Sequence, residues 1–292
     1  MKIKRSAAEQ TGYAIIVTLL VLFAFSTLYP FWHVLMYSVS DSGEAMSGGL
    51  FFLPRKPTLL AYRTVLRTRQ IFVAYRNTIL KTFVGTLLSL VVTALTAFPL
   101  SLKRLHGRSF FSMYIFFTML FGGGMIPTYL AVSQAGLIDS MWALILPNLV
   151  SAYNVVLMRN YIDGLPEALL ESAMIDGASQ MRTLFSIVLP LMLPSLATIG
   201  LFCAVGYWNT FFNALLYINR RDMATLQIYL REVLVNTQNA EMNAGMDELY
   251  EGMQTECVQG ACVVASSLPI ILVYPFLQKY YVKGMTLGAV KG

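Results

Sequence analysis

Along the 292 residues, apolar positions collect into long blocks rather than recurring at amphipathic spacing. Tyr13 to Tyr37 contains no formally charged residue. Ser109 to Leu130 and Pro190 to Ile218 contain neither charge nor histidine, and Val258 to Tyr274 is uncharged. Blocks of about 20 apolar residues match the ~30 Å hydrocarbon core of a bilayer at about 1.5 Å per helical residue. The pattern predicts an all-α membrane protein with six transmembrane helices, at 13–37, 77–101, 109–131, 138–158, 193–218 and 258–278. Lys81 near the start of the second span is expected to snorkel, and Pro147 in the fourth is tolerable inside a bundle. The first block is too long for the apolar core of a signal peptide, and "FWHVLMYSVS" after it lacks a small-residue cleavage site.

Composition agrees: 57% of residues are hydrophobic and 12% charged, against about 25% charged in a soluble domain. The net charge of +6 raises the possibility of nucleic-acid binding. Basic residues at membrane edges, facing anionic lipid, account for it better, so no nucleic-acid partner is expected. Cys203, Cys257 and Cys262 form no CxxC pair and read as structural. An even number of spans puts both termini on one side. Eleven Lys and Arg fall on the side of the termini and nine on the other, and the dense short loops "MKIKR" and "KRLHGR" favour cytosolic termini. The expected organisation is a cytosolic N-terminus (1–12), a six-span membrane domain (13–280) and a cytosolic tail (281–292), with outer loops 40–76 and 219–257.

The outer loop 40–76 holds "TLLAYRTVLRTRQIF", where Leu59, Tyr62, Leu66 and Val65 are expected to share the apolar face of an interfacial helix. Its six basic residues oppose the positive-inside bias. Arg55, Lys56, Arg63, Arg67 and Arg69 are therefore candidates either for attracting an anionic solute or for anchoring to lipid headgroups. The loop 219–257 is acidic.

The cytosolic segment 161–190 is polar between two apolar runs. Pro166 suits a first helical turn, and Leu169, Leu170, Ala173 and Met174 form an apolar face beside Glu167 and Glu171. Asp176-Gly177 should end this helix, because glycine accepts the left-handed conformation of a C-terminal cap. A second short helix follows with Met181, Leu184, Phe185 and Val188 on one face, closed by Pro190. Like charges at i, i+4 disfavour an isolated helix, and acidic residues disfavour anionic lipid. A partner protein that uses them is the better account.

Enzyme signatures are missing: with only two histidines HExxH is impossible, and GxSxG does not occur. No GxxxxGK[ST] occurs either, so this chain does not cradle ATP phosphates itself. A secondary transporter or channel working without ATP is the alternative, yet such transporters place ionisable groups in mid-membrane, where Lys81 is the nearest candidate. "FGGGMIPTY" (121–129) reads either as a flexible span end or as a broken helix around a site.

"ESAMIDGASQMRTLFSIVLP" resembles the EAA loop of ABC-importer permeases: Glu-Ala-Ala, three residues, Gly, nine residues, Ile-x-Leu-Pro. Glu171, Ala173, Gly177, Ile187, Leu189 and Pro190 fill the pattern, with Ser172 in place of the middle alanine. "YYVKGMTLGAVKG" (280–292) is similar to the end of the maltose-type second permease subunit. "FGGGMIPTYLAVSQAGLIDSMWALILPNLVSAYNVVLMRNYI" is similar to permeases of importers for aldouronate, polygalacturonate and alginate oligosaccharides.

The resemblance implies a type I ABC-importer permease fold in the bacterial cytoplasmic (inner) membrane. It implies a heterodimer with a homologous permease, a homodimeric ATPase beneath and an extracytoplasmic solute-binding protein. This chain would bind no cofactor and catalyse nothing; ATP and Mg would belong to the ATPase. Carried over by residue, the ATPase-coupling role falls to Glu171, Ala173, Asp176 and Gly177, and tail contacts to Lys283, Gly284 and Lys291. The loop reaching the binding protein would include Gln227 and Tyr229. Tyr207, Trp208, Asn209 and Asn213 are substrate-pathway candidates because rings stack on sugar C–H faces and amides bond hydroxyls; bundle packing would use the same residues. The solute implied is an acidic oligosaccharide, with a neutral sugar or glycerol phosphate on the same fold as the other possibility.

Overall fold

In the computed structural model, residues 7–45, 49–242 and 255–289 are described. The long apolar blocks are helices, since a backbone in lipid must satisfy its own hydrogen bonds. In chain order they are α1 (Ala7–Ser38), the one-turn α2 (Ser42–Ala45), α3 (Leu60–Arg67), α4 (Arg69–Ser101), α5 (Arg108–Leu120) and α6 (Met125–Gln134). Next come α7 (Met141–Ile145), α8 (Ala152–Asp163), α9 (Glu167–Ile175), α10 (Gln180–Thr183), α11 (Leu189–Leu191) and α12 (Leu193–Trp208). Then α13 (Phe212–Tyr217), α14 (Leu226–Met242) and α15 (Thr255–Ala289) follow. Among the described residues three helices are long and apolar enough to cross a membrane, and up to six spans result if each of three bent pairs counts as one.

The bends fall where the sequence weakens a helix. Gly122, Gly123 and Gly124 separate α5 from α6, which turn by 112°, so 109–131 is not one straight span. Pro147 sits between α7 and α8, bent by 53°. The segment after the polar loop behaves differently from expectation at Pro190. The chain does not end its helix there but passes through a π-helical turn at Leu184–Val188, continues as α11, and bends by 87° before α12. A proline ring clashes with the carbonyl four residues back in a regular α-helix. A wider π turn just ahead of it relieves that clash, and the bend itself falls at Met192, before the Leu193-Pro194 start of α12.

The chain forms two compact units. In one (the described residues within 1–68 and 230–267), α1 meets the start of α15: a Cβ on Gly260 would lie 3.3 Å from the Ser38 Cβ, so a larger residue there would have to push Ser38 back by a few tenths of an ångström. The Tyr37 hydroxyl donates to Glu256 at 2.6 Å, and the Ser38 and Tyr62 hydroxyls pair at 2.7 Å. On α3 the buried side chains are Ala61 and Val65, while Leu59 and Leu66 are exposed. Of the expected face, Val65 and the half-buried Tyr62 pack within the unit, and Leu59 and Leu66 are left uncovered by it.

In the other unit (residues 69–229 and 268–292), α4 packs along α12 and α8. It begins at Arg69, eight residues before the expected span. Its buried face is partly polar: Asn77, Lys81, Ser89 and Thr93 lie at multiples of four with Gly85 between. Lys81 does not snorkel; it is 0% exposed. Below the stripe an apolar core joins Ala97, Phe98, Met158, Leu184, Val188 and Ile199.

Candidate functional site

The polar loop is built as its residues dictate. Pro166 stands at the N-cap and Glu167 opens α9, one residue later than a first-turn proline. Asp176 is the C-cap, and Gly177 follows at φ +71° with its N–H on the Met174 carbonyl and the Ala178 N–H on the Ala173 carbonyl. This is the two-bond glycine cap that satisfies orphan helix carbonyls. Ser179 then caps α10 by accepting from the Arg182 N–H. Ala173 is buried against the rest of the unit, whereas Glu171, Asp176 and Gly177 face outward. A Cβ on Gly177 would meet nothing within 4 Å. Ile175, between these residues, is 86% exposed.

Polar ties fasten the loop to its neighbours. Lys103 Nζ bonds both oxygens of Glu167 at 3.0 Å, and Arg104 contacts the Met174 sulfur at 2.9 Å. Asp163, ending α8, lies 3.5 Å from Arg159 and 3.8 Å from Arg108. None of these ties was foreseen from the sequence. The signal was a cluster of short basic and acidic loops on one side of the spans.

The second candidate is a pocket of about 830 Å³ within the same unit. Three of the four expected pathway residues line it: Tyr207, Asn209 and Asn213. Trp208 is buried but is not part of the lining. The structure adds Asn148, Ser151, Asn154 and Thr210, which reading span by span missed because they lie at or beside helix breaks in two different spans. Tyr207 is held firmly. Its O–H donates to the Ile145 carbonyl at 3.2 Å, which leaves Ser89, at 3.0 Å, to donate to it. Its ring lies against Gly85, where any Cβ would approach within 2.8 Å. Asn154 donates to the Cys203 sulfur at 3.4 Å. The lining carries amides, hydroxyls and aromatic rings and no charged residue, a set suited to a polyhydroxylated solute.

At the C-terminal end of α13, Asp139 accepts from the Asn219 and Arg220 backbone N–H groups, which hold its carboxyl below the usual carboxylate range. Gln227 is half-buried on α14, and Tyr229 is buried within the chain. Lys283 and Gly284 lie on the last turns of α15 with their side chains outside the described set, and Lys291 lies outside the described residues. In the segment 40–76, Arg55 lies 4.4 Å over the Phe51 ring and Lys56 pairs with Glu44, while Arg63, Arg67 and Arg69 are exposed.

Residues 70–287 match the model of the binding-protein-dependent transport system inner membrane component. The polygalacturonan/rhamnogalacturonan transport system permease protein YtcP of Bacillus subtilis (strain 168) is 40% identical over 275 residues, 94% of this chain and 96% of its own. A chain in the crystal structure of a bacterial ABC transporter involved in the import of the acidic polysaccharide alginate superposes with a TM-score of 0.88 at 33% identity. That match covers 96% of this chain and all of the other. A second likeness, at TM-score 0.59 and 14% identity, concerns the fold alone. It is to a chain of the alginate transporter in complex with an alginate pentasaccharide-bound periplasmic protein. This chain belongs to the family of binding-protein-dependent transport system inner membrane components, the membrane permease subunits of ABC transporters.

Proposed function

We propose that this chain is one permease subunit of an ABC importer that moves acidic, uronate-containing oligosaccharides into the cytoplasm by alternating access. The observation that carries the reading is the full-length likeness, at 33% identity, to a chain of a transporter that imports an acidic polysaccharide. The relative from a polygalacturonan/rhamnogalacturonan system supports the same class of solute. An uncharged, amide-rich pocket beside Tyr207 supplies contacts for sugar hydroxyls.

In this reading both termini are cytosolic, a homologous permease completes the pathway, and an extracytoplasmic binding protein delivers the solute. Hydrolysis of ATP with Mg occurs in a partner ATPase whose cleft receives α9. Glu171 and Asp176 meet it as polar contacts, Gly177 allows close backbone approach, and Ala173 seats the helix on its own unit. Closure of the ATPase pair then moves the spans as rigid bodies. The test is uptake by the reconstituted importer. ATP-dependent accumulation of a short oligogalacturonate or alginate oligosaccharide, exceeding that of a neutral oligosaccharide of equal length, supports the proposal. Accumulation without ATP, or of neutral sugars alone, defeats it.

A further inference from the structure

Lys81 is the one ionisable residue of α4 between Arg76 and the helix end, and it is 0% exposed. Its ammonium has no hydrogen-bond partner among the described residues. Neighbours one turn away are already committed: Asn77 donates to the Asp222 and Ala224 carbonyls, and the Thr78 hydroxyl accepts from the Leu226 N–H.

A counter-ion from its own stretch, 69–229, is not to hand. The acidic residues there are Asp139, Asp163, Glu167, Glu171, Asp176 and Asp222. Asp139 holds the Asn219 and Arg220 N–H groups, Asp163 faces Arg108 and Arg159, Glu167 binds Lys103, and Asp222 binds Arg220 at 2.6 Å. Glu171 and Asp176 are exposed on the polar loop. A buried cation without a partner costs folding free energy, and an ionisable group kept inside a membrane domain marks a functional site. Its complement therefore comes from outside these residues.

No residue of α4 lines the pocket, but Tyr207 links the two. Gly85 is one turn from Lys81, about 6 Å along the axis, and the Tyr207 ring that covers Gly85 also forms part of the pocket wall. That lining has amides and hydroxyls for sugar hydroxyls but no charge for a carboxylate.

We propose that Lys81 is the carboxylate-recognising residue of the translocation pathway, reached from the pocket when Tyr207 leaves its bonds to Ser89 and Ile145. The flexible four-carbon stem of lysine lets the ammonium swing toward an arriving anion. The inference rests on the acidic-oligosaccharide reading above and deepens it: Lys81 selects the charge, while the pocket's neutral groups hold the ring.

The test uses the complete importer in proteoliposomes, with wild-type chain, Lys81→Met and Lys81→Arg. The probes are trigalacturonate and its fully methyl-esterified, uncharged form. Lys81→Met is expected to lower trigalacturonate uptake at least about tenfold, the scale of losing one well-placed charge partner. Lys81→Arg is expected to retain most trigalacturonate uptake, and Lys81→Met to lower methyl-ester uptake far less than trigalacturonate uptake. Because methionine replaces a partnerless ammonium with an apolar chain of similar length, the unfolding midpoint of Lys81→Met should not fall. Equal trigalacturonate uptake by Lys81→Met and wild type overturns the proposal. So does an equal loss for both probes, or a lowered midpoint, either of which points to a structural role or a carboxylate from a partner subunit. A wild-type importer that takes up only the uncharged probe defeats the acidic-oligosaccharide reading itself, and this inference with it.

Discussion

Helices α4 and α9 both expose large apolar side chains, but for different reasons. On α4 the outward residues include Phe83, at 68%, with Ile79 and Leu87, while Asn77, Thr78, Lys81, Ser89 and Thr93 are turned inward. That is the arrangement a lipid solvent selects: hydrocarbon covers the apolar flank, and polar side chains are kept off it. On α9, Ile175 is 86% exposed, yet Asp176 follows it and Glu171 lies one turn before. Hydrocarbon cannot cover that face without also taking in carboxylates. Among exposed apolar residues, charged neighbours therefore separate a lipid-facing flank from a protein-docking one.

The comparison breaks most visibly if both faces receive the same charge. Phe83→Asp places a carboxylate in mid-span and is expected to cost about 3 kcal/mol of insertion free energy. Membrane-integrated protein, measured by alkaline extraction, should drop sharply. Ile175→Asp should leave the extracted amount unchanged and instead lower uptake with loss of solute-stimulated ATP hydrolysis. If Ile175→Asp also depletes the membrane fraction, the docking interpretation of α9 is wrong.

Gly177 sharpens the same contrast. Its φ of +71° costs a β-branched residue roughly 1–2 kcal/mol, so Gly177→Val should distort the α9 cap and reduce coupled uptake about tenfold. Asparagine tolerates this conformation, and within the chain nothing lies within 4 Å of the added Cβ. Gly177→Asn therefore separates two causes. Uptake near wild type would mean that only the backbone conformation matters. Loss equal to that of the valine variant would mean that a partner backbone packs against the glycine itself. Intact coupling in Gly177→Val would remove the assignment altogether.

The cap at Gly177 was legible because a short-range rule governs it: a glycine after the last helical residue reports the conformation whatever lies around it. The span blocks were legible for a similar reason, since hydrocarbon length and backbone satisfaction act on composition alone. Which way Lys81 faces was not. An apolar window averages over all sides of the helix, and snorkelling was assumed where packing inside the unit buries the residue. The helix α14 was hidden by the acidic character of its segment, although Leu226, Tyr229 and Val233 fall on one face and are buried. The pocket was half legible. Tyr207, Asn209 and Asn213 stand out as polar residues in an apolar run, whereas Asn148, Ser151 and Asn154 join them only through the break near Pro147.

The smallest expected effect concerns what holds α9 in place. Lys103 and Glu167 make two 3.0 Å contacts, but both side chains are mostly solvent-exposed. Such pairs contribute about 0.2–1 kcal/mol and weaken as salt rises. Ala173, by contrast, is buried on the same helix. If apolar seating positions α9, Lys103→Ala should shift the unfolding midpoint by no more than a degree or two, and uptake should stay within about twofold of wild type. Raising the salt concentration should narrow even that difference, because it already weakens the pair in the wild type. A larger, salt-independent loss of uptake in Lys103→Ala would mean that Lys103 itself touches the docked partner, and that the charged side of α9, rather than the exposed Ile175, leads the contact.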